Sequence, residues 1–118
     1  MATVLVLDSD EITLSSLEDI LSTFGHQVVA APDQATALEA IRTRSIDLFL
    51  FDLRLAGVDP VLLTQAIREV HPDLPVVAVT AYPREPLALA ALDAGSHSLM
   101  RKPYEIGRIL DLLGGAHP

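Results

Sequence analysis

The chain contains no cysteine and no tryptophan, and lysine occurs once, as Lys102. Without thiols there is no disulfide framework and no thiolate metal site. The four histidines lack metal-ligand spacing and are expected on loops or the surface. Aromatic residues make up 4% of the chain, and eight bases face sixteen acids, for a net charge of −8. No basic patch interleaved with aromatics is present, which argues against direct nucleic-acid binding. No apolar run approaches the roughly 20 residues that span a bilayer. Met1, Ala2 and Thr3 lead straight into an apolar segment with no charged, leader-like stretch. These absences fit a cytoplasmic protein. The acid excess serves solubility, or gathers some carboxylates around a cation.

What is present is an interior. Half of the 118 residues are hydrophobic, enough for one domain with a real core. Four short apolar runs, over 3–7, 48–51, 76–79 and 98–101, stop on Asp8, Asp52, Thr80 and Lys102. Continuous apolar runs of this length suit strands buried on both faces. A further run over 27–31 ends at Pro32, with no reactive side chain.

Helical patterns separate these runs. Over 11–24, Leu14, Leu17, Ile20, Leu21 and Phe24 recur at spacings of three and four and predict one buried stripe. Pro32 and Asp33 open a second helix, with Ala37, Leu38 and Ile41 inward. Asp59 as N-cap and Pro60 at the first helical position start a third, running to about residue 70. A leucine- and alanine-rich helix follows Pro86, and the last is expected over 104–113, with Ile106, Ile109, Leu110 and Leu113 inward. Residues 1–113 thus read as one domain and 114–118 as a flexible tail or the start of a linker.

Five strands alternating with five helices imply an α/β fold, a doubly wound, flavodoxin-like parallel sheet of order 2-1-3-4-5. Ligands of such sheets sit beyond the carboxyl ends of the strands. That edge collects Asp8, Asp52, Thr80 and Lys102, a set suited to metal-assisted phosphoryl chemistry.

Several segments carry a family resemblance: residues 4–10, residues 47–60 with Asp52 at the strand end, Val79-Thr80-Ala81, Ala94-Gly95 and Lys102-Pro103. Gly25-His26-Gln27-Val28-Val29 and Ala37-Leu38 match as well. In that order and spacing the chain resembles the receiver domain of bacterial two-component response regulators. The resemblance implies that Asp52 accepts a phosphoryl group from a histidine kinase or a histidine phosphotransfer protein. Thr80 and Lys102 would meet the phosphoryl oxygens. Mg²⁺ would be held by Asp8, Asp52 and the backbone carbonyl of Arg54, and the peptide bond before Pro103 would be cis.

The sequence also departs from the family. Ser9 stands where a second acid is usual, so Mg²⁺ binding is expected to be weak, with Ser9 or Asp10 as a further ligand. Asp10 has a competing role as an N-cap. Leu99 replaces a usual aromatic, and Ala56 and Pro60 replace a usual proline and glycine. Ile12, Leu87 and Leu112 fall off their helices' stripes and, with Leu99, are expected on partner surfaces. Ile12 lies where a kinase would dock, and the others on a face of helix 4, strand 5 and helix 5 that would serve a homodimer. Little catalysis is expected beyond the domain's own phosphorylation and dephosphorylation. Two alternatives stand beside this reading. One is a degenerate receiver that binds partners without phosphotransfer. The other is a haloacid-dehalogenase-type phosphatase, with Asp8 as nucleophile and Asp10 as acid/base.

Overall fold

Alternate residues of a strand point to opposite faces of its sheet, and this chain uses both faces for core. The computed structural model describes residues 1–114. The elements run β1 Thr3–Leu7, α1 Glu11–Thr23, β2 Gln27–Ala31, α2 Gln34–Thr43, β3 Leu48–Asp52, α3 Pro60–Val70, β4 Val76–Thr80, α4 Pro86–Asp93, β5 Ser98–Arg101 and α5 Ile106–Leu112. The strands form one parallel sheet of order β2-β1-β3-β4-β5. The expected fold class is therefore the observed one.

Leu5, Leu7, Phe49, Phe51, Val76 and Ala78 face α2, α3 and α4, which contribute Ala37, Ile41, Leu63, Ile67, Ala88 and Ala91. Val4, Val6, Leu48, Leu50, Val77, Val79 and Met100 face the other way, against Leu14, Leu17 and Leu21 of α1 and Ile109 and Leu110 of α5. Phe49 and Phe51 stack with ring centroids 5.6 Å apart. Among these, each fully buried valine, leucine, isoleucine, phenylalanine or methionine side chain contributes about 1.5–3 kcal/mol. The central strands are locked in register because a one-residue slip would exchange the two faces.

Some expectations need correction. In α1 only Leu14, Leu17 and Leu21 are buried; Ile20 is 39% and Phe24 45% exposed. Successive helical residues are about 100° apart, so Ile20 sits at the flank of the stripe. Phe24 is the C-cap, past the last helical turn. In α4 and α5 the expected off-stripe residues Leu87 and Leu112 are half-buried and packed on the core, as is Leu99 of β5. The exposed leucines are Leu89, at 53%, and Leu62, at 61%. In α4, leucine and alanine on all sides leave no polar face from which to read its orientation. Leu38 of α2 is only half-buried but packs on the core as expected, and Ala40 joins Ala37 and Ile41 there.

β3 starts at Leu48 because Asp47 is used just before it, its Oδ2 accepting the Thr3 N–H at 2.7 Å. β4 continues to Thr80, paired with Arg101. The last helix starts at Ile106 and not at residue 104, since Tyr104 is engaged elsewhere. Of the expected tail, residues 115–118 lie outside the described residues. Among the described residues, no helix is long and apolar enough to cross a membrane.

Candidate functional site

The parallel register sets the site. Leu7 pairs with Phe51, Asp52 with Val79 and Thr80 with Arg101. Asp8, Asp52, Thr80 and Lys102 therefore gather along the carboxyl edge of β1, β3, β4 and β5.

Lys102 is the hub. Its Nζ lies 3.0 Å from Asp52 Oδ2 and 3.6 Å from Asp8 Oδ2. The ammonium side chain is 33% exposed, while the carboxylates of Asp52 and Asp8 are 14% and 2% exposed. The Lys102–Pro103 peptide bond is cis. Asp52 Oδ1 also accepts the Arg54 N–H at 3.0 Å, which orients the carboxylate. Asp8 Oδ1 accepts the Asp10 N–H at 3.0 Å, and Asp8 Oδ2 accepts the Tyr104 hydroxyl at 2.9 Å. Burial, and then the Asp8 charge, push the Tyr104 hydroxyl well above its ordinary titration range.

Thr80 is 1% exposed. Its hydroxyl accepts the Tyr82 N–H at 3.0 Å and donates to Glu85 Oε2 at 3.2 Å. Glu85 Oε1 stands 2.8 Å from Arg54 Nε.

Asp10 is fully exposed and serves as N-cap of α1. Its carboxylate accepts from Ile12 N–H and from the Thr13 hydroxyl, at 3.2 and 2.7 Å. The Thr13 bond holds its carboxyl below the usual range. Ser9 is exposed. Ile12, 79% exposed, borders a groove of about 590 Å³ between α1 and the β5–α5 loop, with Ile20, Pro103 and Ile106.

Two carboxylates and one ammonium leave the cluster with an excess negative charge. Hard oxygen donors of this kind fit Mg²⁺, which commonly uses one or two carboxylates plus water and substrate phosphate. Among the described residues, no group of three or more histidine or acidic side chains is placed to hold a metal. The paired carboxylates of Asp8 and Asp52, both turned toward Lys102, are donors of the kind that fits such an ion.

Tyr104 and Glu85 were not singled out from the sequence. Tyr104 had one available signal, its place two residues after Lys102. Glu85 had none, because a carboxylate in a proline-rich loop reads as solvated surface.

The family model for the response regulator receiver domain matches residues 4–114. The chain belongs to that family. The receiver is 31% identical over 106 residues to the transcriptional regulatory protein ZraR of Klebsiella oxytoca, covering 90% of this chain and 24% of that protein. It thus spans about a quarter of the length of the curated relatives it matches. Among solved structures, the beryllofluoride-activated NtrC4 receiver domain dimer superposes with a TM-score of 0.84 at 27% identity, covering 97% of this receiver and 94% of that chain. The receiver domain of the sensor histidine kinase PA1611 from Pseudomonas aeruginosa PAO1 has magnesium coordinated in its active-site cleft. It superposes with a TM-score of 0.82 at 23% identity, covering 97% and 98% of the two chains.

Proposed function

We propose that this receiver is a phosphorelay switch whose acceptor is Asp52. The observation that carries this is the shared ammonium: Lys102 Nζ faces both Asp52 and Asp8, beside the buried Thr80 hydroxyl. A carboxylate oxygen of Asp52 attacks phosphorus in line as the P–N bond of a donor phosphohistidine breaks and the imidazole leaves. Lys102 neutralises charge on the transferring group, and the Arg54 N–H keeps the carboxylate aimed. Thr80 offers its O–H to a phosphoryl oxygen. Mg²⁺, when bound by Asp8, Asp52 and the Arg54 carbonyl, supplies further charge neutralisation.

The donor is a histidine kinase or phosphotransfer protein in the cytoplasm, docking at the Ile12 groove. The α4–β5–α5 face, with Leu89 exposed and Leu87, Leu99 and Leu112 beneath, serves a second copy. Residues 1–113 act as the signalling unit.

One observation favours a second reading, a receiver that binds partners without phosphotransfer. Asp10 is committed to capping and Ser9 is neutral, so no third acid supports the metal. The phosphatase reading lacks support, because Asp8 is 2% exposed and already engaged by Tyr104 and the Asp10 N–H.

Acetyl phosphate with Mg²⁺, followed by intact mass, tests the proposal. One phosphoryl addition, absent from Asp52→Asn, is expected. No addition at any Mg²⁺ concentration, with labelling restored in Ser9→Asp, would select the degenerate reading. Phosphomonoester turnover that survives Asp52→Asn would sink both.

A further inference from the structure

A hydroxyl has one proton to donate. Thr80 gives its proton to Glu85, Oγ1 to Oε2 at 3.2 Å, and its oxygen already accepts the Tyr82 N–H. The proton that would bind a phosphoryl oxygen is therefore taken. The acceptor is itself out of place. Glu85 occupies the N-cap position of α4, where a side-chain oxygen usually bonds first-turn N–H groups, yet it makes no such bond. Its side chain, 8% exposed, instead bridges the end of β4 and the loop after Asp52, through Arg54. The Arg54 contact is an ion pair off-axis for hydrogen bonding, and Oε1 has no hydrogen-bond partner among the described residues. A carboxylate on one long hydrogen bond and one partly solvated ion pair is held loosely enough to be exchanged.

We propose, resting on the phosphoacceptor reading of Asp52, that Glu85 is an internal competitor for the phosphoryl group at Thr80. In the unmodified receiver its carboxylate holds the Thr80 proton. A phosphoryl oxygen on Asp52 replaces it, and the released Glu85 turns back to cap α4. The exchange ties phosphorylation to the start of α4, the helix that exposes Leu89. It does so without an aromatic side chain at position 99. Glu85 is a positioning residue here, because it acts through Thr80.

The test titrates beryllofluoride at fixed Mg²⁺ into the full chain, with the bound fluorine signal read by NMR and folding checked by circular dichroism. Glu85→Ala should lower the half-saturating concentration about threefold to tenfold, the scale of one net hydrogen bond. Glu85→Gln, which keeps an acceptor but not the charge, should shift it less. In a Thr80→Ala background, Glu85→Ala should change nothing further. An unchanged or raised midpoint in Glu85→Ala overturns the competition. So do equal shifts in Ala and Gln that persist without the Thr80 hydroxyl, since they report charge alone. Either result leaves Asp52 as acceptor. If wild type and Glu85→Ala both refuse beryllofluoride and stay unlabelled by acetyl phosphate, the acceptor reading itself falls.

Discussion

Tyr104 puts its hydroxyl on the Asp8 oxygen that Lys102 also faces, in a region where little water reaches. Replacing it with phenylalanine keeps the ring and removes the donor, leaving a buried carboxylate short of a partner. Tyr104→Phe should cost about 1–3 kcal/mol by urea denaturation at neutral pH. The hydroxyl also has a pH signature. Its titration is raised in the fold above the ordinary 10.0, so the neutral form favours the folded state. That stability is complete below pH 10.0 and declines as pH rises beyond it, once the unfolded chain loses the proton and the folded one does not. Tyr104→Phe should flatten this alkaline decline. At this scale the gathering of Asp52, Thr80 and Lys102 on one sheet edge was legible because each ends an apolar run. Tyr104 and Glu85 were not, because each reaches the site from a loop, and no periodicity encodes a loop's direction.

At the scale of elements, starts and stops carry much of the local stability. Asp33 caps α2 by accepting the Thr36 N–H at 2.8 Å, and that bond lowers its carboxyl below the ordinary 3.8. A lowered carboxyl stabilises the fold above 3.8, and the contribution is lost as pH falls through the folded value. Asp33→Asn keeps a capping oxygen. It should lower thermal stability at pH 7 slightly, by the charge contribution alone, and reduce the acid slope below 3.8. The glycine stops differ in a testable way. Gly25 and Gly95 both have positive φ, at 84° and 118°. A Cβ on Gly25 meets nothing within 4 Å, whereas one on Gly95 meets Arg68 Cγ at 3.2 Å. Arg68 is not free to retreat, as it donates to the carbonyls of Gly95 and Pro72. Gly25→Ala should cost about 1–2 kcal/mol of backbone strain. Gly95→Ala should cost more and lower Tm further. The caps Asp10 and Asp59 were readable from residue type. The orientation of α4 was not, since Leu87 and Leu89 are equivalent in sequence and only packing makes one half-buried and the other exposed.

For the whole molecule, continuous apolar strands, helical spacers and their alternation made the three-layer sheet readable, and the sheet placed the site. The role of Asp10 was less readable, because its residue type and position suit both a turn inward toward Asp8 and a cap on α1, and it caps. Mg²⁺ bound to the folded state alone stabilises by mass action. Added Mg²⁺ should raise Tm in wild type and fail to do so in Asp8→Asn. Ser9→Asp should bring the rise to lower Mg²⁺ concentrations. A Tm indifferent to Mg²⁺ in wild type and Ser9→Asp alike would show that the two carboxylates do not hold the ion.

The solitary lysine has a practical consequence. Apart from an α-amine, Lys102 is the one primary amine an acylating reagent can find in this chain. It is also the side chain clasped by Asp8 and Asp52. Acylation must draw that nitrogen away from Asp52, so the modification rate measures how tightly the cluster is closed. An amine-directed dye is thus a ready-made optical gauge of the Asp52 cluster, with no engineered label.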